Sequence, residues 1–80
     1  MDKNEKIIIA QLLRMAADVF SNHGCNDFGI ENNPANFSMI QKMQMEDDPE
    51  HTHVSVGDGQ IFIEDYKLMN YLAGKIEMEI

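Results

Sequence analysis

The first twenty-odd positions alternate apolar and polar residues with a helical period. Ile8, Ile9, Leu12, Leu13, Ala16, Val19 and Phe20 recur three and four apart, while Gln11, Arg14 and Asp18 fall on the other side. Asp2 and Glu5 stand three apart at the head of this run, the pattern of a capping box. The spacing predicts an amphipathic helix over about residues 3–23, on the order of 30 Å long at 1.5 Å per residue. Gly24 is the natural stop, with His23 as the C-cap. A Schellman ending would then bring Cys25 back against Phe20 as a small buried hydrophobe, and a protonated His23 would complement the negative end of the helix dipole.

Asn26, Asp27, Gly29, Glu31, Asn32, Asn33 and Pro34 are turn formers around Phe28 and Ile30, and predict an ordered loop anchored by those two apolar side chains. Asn33-Pro34 reads as an N-cap followed by proline at the first helical position. Phe37, Ile40, Met43 and Gln44, broadened by Met39 and Met45, predict a second helix over about 34–45. It runs into Glu46, Asp47 and Asp48, acidic residues at the unfavourable end of the helix dipole, and Pro49 blocks continuation.

The period then changes from helical to alternating. A two-residue turn at Asp58-Gly59 pairs Val56 with Ile61 and Val54 with Ile63, so that all four share one face of a hairpin, about 53–57 and 60–63. A lone hairpin is not stable in water, so that face must be covered by helices. Glu64 and Asp65 open a last helix, about 64–78, with the stripe Leu68, Met69, Leu72, Ile76 and Ile80, and with Gly74 inside it. The expected fold is α+β, three helices packed with one β-hairpin, as a single small domain over residues 1–80.

Composition narrows the function classes. Fourteen acidic residues against six basic ones give a net charge of −8. That balance argues against nucleic acid held by phosphate neutralisation and against anionic membrane surfaces. It suits a basic protein partner, although charge of this size also serves simply to keep a small domain soluble. Eighty residues bury a small core, so homodimerisation is an available source of stability. One cysteine makes no internal disulfide, and the Ile7-Ile8-Ile9 run is far too short to span a bilayer. The expected compartment is the cytoplasm.

Chemistry-bearing residues are few. His23 and Cys25 make an H-x-C pair, and His51 and His53 an H-x-H pair; imidazole and thiolate together suit zinc. A small zinc-stabilised binding domain using His23, Cys25, His51 and His53 is therefore the alternative to a domain without cofactor, in which the same residues cap a helix, fill a core and face solvent. A catalytic Cys25 is disfavoured, because a thiol just beyond a helix C-terminus sits at the negative end of the dipole. Glu46, Asp47, Asp48 and Glu50 lack the alternation of a calcium loop, and Gly57-Asp58-Gly59 lacks the lysine and following helix of a phosphate loop. No enzyme is expected. Seven methionines, three of them on the second helix, and the acidic clusters are the features that favour protein contact. The candidate binding residues are Asn22, His23, Cys25, Asn26 and Asp27, which crowd one helix end with donors and acceptors.

The segment Leu12 to Phe28, LLRMAADVFSNHGCNDF, resembles the first part of small bacteriophage and prophage proteins that carry a similar helix followed by an NHGCND-type segment. Leu68-Met69-Asn70-Tyr71-Leu72-Ala73 is similar to their C-terminal helix. Gly29 to Ile63 and the Gly74-Lys75 pair depart from that pattern. The resemblance implies a phage or prophage gene expressed in a bacterial cytoplasm and an accessory protein that contacts host or phage proteins. It implies no substrate, ligand or reaction.

Overall fold

The computed structural model describes residues 1–24 and 26–80. The elements run α1 (Lys3–Asn22), β1 (Asp27–Glu31), α2 (Pro34–Asp47), β2 (Ser55–Gly57), β3 (Gln60–Glu64) and α3 (Asp65–Met78). The α+β class and the three expected helices are present. The chain divides into two compact units, one made of Met1–Asn26 with Glu64–Ile80, the other of Asp27–Ile63.

The first unit is an antiparallel pair of helices. The Asp2–Glu5 capping box is formed, with the Glu5 N–H donating to Asp2 Oδ1 at 2.8 Å and the Asp2 N–H to Glu5 Oε1 at 3.2 Å. At the other end the His23 N–H donates to the Val19 carbonyl, and Gly24 turns the chain with φ +95°, a conformation that costs glycine nothing. Lys6 pairs with Glu79 and Arg14 with Glu77 and Asn70, while Asn26 meets Asp65, so the two helices run in opposite directions. The buried side chains are Ala10 and Ala17 on α1 and Leu68 and Ala73 on α3. Small residues two turns apart let the helix axes approach closely.

This corrects the expected stripes. Ile8, Leu12, Val19 and Phe20 are exposed rather than buried, and so are Leu72 on α3 and Ile80 beyond its end. α1 is apolar over most of its circumference, and close packing selects the alanine arc over the arc of larger side chains.

The second unit is a three-stranded sheet with α2. The order is β1-β3-β2, so β3 is central. β2 and β3 pair antiparallel with Val56 opposite Ile61 and Gly57 opposite Gln60, the register expected for a two-residue turn, but β2 starts at Ser55 rather than near 53, so the expected Val54–Ile63 pair lies outside the ladder although both side chains are buried. Asp58 (φ +51°) and Gly59 (φ +75°) both lie in the left-handed region, as a type I′ turn requires. The expected loop after α1 is in fact strand β1, which makes the sheet three-stranded rather than a lone hairpin. Phe28 and Ile30 do alternate with polar neighbours, but the strand is short and contains Gly29, and pairing with β3 overrides the turn-forming composition.

Asn33 caps α2 by accepting the Asn36 N–H at 2.8 Å, with Pro34 in the first turn. The helix runs two residues beyond the expected end. Asp48 stops it: its N–H donates to the Gln44 carbonyl, and its side chain accepts the Glu50 N–H at 3.1 Å, so the acidic residue at the unfavourable helix end is used as a turn former before Pro49. The unit's buried apolar side chains are Ile40 and Met43 from α2 and Val54, Ile61 and Ile63 from the hairpin region.

Candidate functional site

The candidate site at the end of α1 is held by α3. Ser21 Oγ donates to the Asp18 carbonyl at 3.0 Å, and the His23 N–H closes the last turn on Val19. Past Gly24, the Asn26 backbone makes a reciprocal pair with Asp65: the Asp65 N–H donates to the Asn26 carbonyl at 3.0 Å, and Asp65 Oδ2 accepts the Asn26 N–H at 3.2 Å. Asp65 Oδ1 also accepts the Tyr66 N–H at 2.7 Å. One carboxylate thus satisfies an amide at the start of α3 and an amide of the chain leaving α1, at the end of α3 where negative charge is favoured.

Of the five binding residues expected from sequence, Asn22, His23 and Asn26 lie together in the first unit with exposed side chains. Asp27 opens β1 and belongs to the second unit. Cys25 lies outside the described residues, and with it the expected contact on Phe20. The backbone groups of His23 and Asn26 are engaged in ending α1 and holding α3, so chain termination accounts for this segment's main-chain geometry.

The zinc alternative divides in the same way. His23 belongs to the first unit and His51 and His53 to the second, and all three are exposed. Among the described residues no group of three or more His, Asp or Glu side chains is placed to hold a metal ion. Met43 is buried and Met39 half-buried, leaving Met45 as the exposed methionine of α2. Glu46, Asp47 and Glu50 face solvent.

Two arrangements were not foreseen from sequence. The first is a polar clamp across the helix pair. The Arg14 guanidinium donates from Nη2 to Glu77 Oε1 at 2.5 Å, from Nε to Glu77 Oε2 at 3.5 Å, and from Nη1 to Asn70 Oδ1 at 3.3 Å. The hydrogen bond from Arg14 holds the Glu77 carboxyl below the usual range, and the same bond raises the Arg14 pKa. Nearby, Lys75 Nζ lies 4.9 Å from the centre of the Tyr71 ring.

The second is the outer face of α1. Ile8, Leu12, Met15 and Val19 are between 53% and 65% exposed. They follow one another by four, three and four residues. At about 100° per residue they fall within an arc of about 60°, on the opposite side of the helix from Ala10 and Ala17. The signal was present in sequence, since three of these residues were in the predicted stripe; Met15 was the member left out. No helix among the described residues is long and apolar enough to cross a membrane. Comparison of the chain with protein-family models, curated proteins and solved structures found no match.

Proposed function

We propose that this protein is a non-enzymatic accessory protein of a phage or prophage, acting by protein–protein contact in the bacterial cytoplasm. The observation that carries the contact reading is the outer face of α1. Four large apolar side chains stand more than half exposed in one continuous row, and contiguous apolar surface on a small domain marks an interaction site. The resemblance of Leu12–Phe28 and Leu68–Ala73 to phage and prophage proteins supports the biological setting. The same α1 that carries the resemblance carries the exposed row, so the segment most like that family is also the one that presents the surface.

Site-specific photo-crosslinking in bacterial cytoplasm tests this. A photoreactive residue at Met15, inside the row, is expected to give discrete protein adducts. The same residue at Met78, which is exposed but outside the row, is expected to give none of them. Absence of adducts at position 15, or the same adducts at both positions, overturns the reading.

A further inference from the structure

We infer that the outer edge of β1 is a strand-docking site, and that its occupant is an extended basic segment of another protein. The segment reads basic, apolar, any residue, apolar, basic. The site lies in the second unit, and stands or falls independently of the outer face of α1.

The backbone sets the form of the occupant. β1 is the last strand on its side of the sheet. The Asn32 N–H donates to the Gly59 carbonyl at 3.0 Å. Three residues back from Asn32, a Cβ at Gly29 would lie 3.3 Å from the ring of Phe62, three residues on from Gly59. β1 and β3 are therefore antiparallel, with Gly29 opposite Phe62. Bonded and unbonded pairs alternate along such a ladder. Asn32 is bonded, so Phe28 and Ile30 share their main-chain groups with β3, while Asp27, Gly29 and Glu31 direct theirs outward. The Asn33 N–H and the Asn36 side-chain amide take the Glu31 carbonyl, which fixes that end of the edge and leaves Asp27 and Gly29 as its open stretch. Outward amides and carbonyls at alternate residues are matched by another extended chain. β1 carries neither lysine nor proline, the residues that commonly guard such an edge.

The side chains set its chemistry. Asp27 and Glu31 are exposed and flank Gly29 on one face of the strand. On the other face Phe28 is 52% exposed and Ile30 half-buried. A strand laid beside β1 thus meets two carboxylates on one face and two apolar side chains on the other. Opposite charges directly across a strand pair stabilise it, and like charges destabilise it. A second copy of β1 is therefore the wrong occupant. Antiparallel about Gly29 it sets Asp27 against Glu31, and parallel in register it sets each acid against itself. The surrounding unit has the same sign: Asp27–Ile63 holds seven acidic residues and one basic, a net of −6 out of the −8 of the chain. A basic segment is drawn toward it at long range as well as held on contact.

The end-blocked peptide Thr-Lys-Val-Thr-Val-Lys-Thr carries the pattern. It reads the same in both directions, so it suits a parallel or an antiparallel fit. Amide hydrogen exchange of the whole protein is the readout. With millimolar peptide in low salt, protection of the Gly29 amide is expected to rise by on the order of tenfold or more, while the Ile30 amide, already bonded to β3, changes little. The counterpart Thr-Glu-Val-Thr-Val-Glu-Thr is expected to give no protection, and neither is the lysine peptide N-methylated at its three central residues. Asp27→Lys with Glu31→Lys is expected to reverse the preference, taking the glutamate peptide and refusing the lysine one, with the helical circular dichroism kept because both side chains are exposed. Gly29 left unprotected by the lysine peptide overturns the inference, and so does equal protection by the glutamate peptide. Protection of Val56 on the opposite edge in place of Gly29 overturns the assignment to β1. Gly29 protection that rises with protein concentration in the absence of peptide overturns the basic occupant and names a second copy. Should the double variant fail to fold, the glutamate and N-methylated peptides decide the matter on the parent protein.

Discussion

Val56 and Ile61 stand directly opposite each other in the hairpin, yet Val56 is 54% exposed and Ile61 is completely buried. They share a face of the sheet, so the difference lies in what covers each position. Ile61 is on the central strand, with paired strands on both sides. Val56 is on a three-residue edge strand next to the turn.

The two positions should therefore respond very differently to substitution. Ile61→Ala is expected to destabilise by about 3 kcal/mol, the cost of a cavity at a central buried site. Val56→Thr keeps the branched shape preferred in strands and is expected to stay within about 0.5 kcal/mol of the parent. Chemical denaturation followed by circular dichroism measures both. Equal losses would mean that Val56 is covered in solution.

The hairpin was legible because one turn type put every branched apolar residue on one face, and a slip of one residue would have broken the set. The first helix was legible in its limits and not in its orientation. Its cap pattern and Gly24 mark the ends, but apolar residues cover most of its circumference, and periodicity alone does not say which arc meets a neighbour. The alanines took that place because they allow close approach. β1 was missed because Asp27, Gly29, Asn32 and Asn33 read locally as turn, and the partner strand that overrides them is thirty residues further along the chain. The candidate site was legible as a helix ending; the hold that Asp65 exerts on Asn26 was not, since it joins residues 39 apart.

On the other face of the sheet, Phe62 lies between two glycines. A Cβ at Gly29 would sit 3.3 Å from Phe62 Cε1 and 2.9 Å from Gln60 Oε1, and one at Gly57 would sit 3.4 Å from Phe62 Cε2. Gly29→Ala is expected to cost on the order of 1 kcal/mol, because the ring and the amide must both give way. Gln60 is exposed and its amide is the nearer obstacle, so Gln60→Ala should recover part of the loss. A double-mutant cycle reads the coupling; additive losses would show that the backbone, not the side-chain contact, sets the cost.

Asp65 is expected to matter more than its half-exposed position suggests. Asp65→Ala removes the acceptor for both the Asn26 and Tyr66 amides and should destabilise by about 1–2 kcal/mol. Asp65→Asn keeps one acceptor oxygen and should lose less. Amide hydrogen exchange at Asn26 is the direct readout: protection there should fall in the alanine variant before the middle of α1 is affected.

Gly74 stands inside α3, where glycine costs about 1 kcal/mol relative to alanine. A Cβ there would lie 3.8 Å from Arg14 Nη2, an ordinary contact. Gly74→Ala is therefore expected to raise stability by up to about 1 kcal/mol. A fall in thermal midpoint would mean that the guanidinium needs that space to reach Glu77.

The Arg14–Glu77 clamp should give a pH-dependent contribution of definite sign. The Glu77 carboxyl is lowered in the folded protein, chiefly by the hydrogen bond from Arg14, against a smaller opposing effect of desolvation. A carboxyl lowered by folding contributes stability above its unfolded pKa of about 4.5, and loses it as pH falls through the folded value. Arg14 shifts upward and stays charged throughout the acidic and neutral range. The pair is about half exposed, so the contribution is modest and screened by salt. Glu77→Gln should thus be less stable than the parent at pH 7 in low salt, with the difference shrinking toward zero as pH falls well below 4.5, through the lowered folded value, and also in molar salt. Urea unfolding of both proteins at the two pH values and two salt concentrations measures this. A difference that persists at low pH would show that Glu77 acts through packing on Arg14 rather than through its charge.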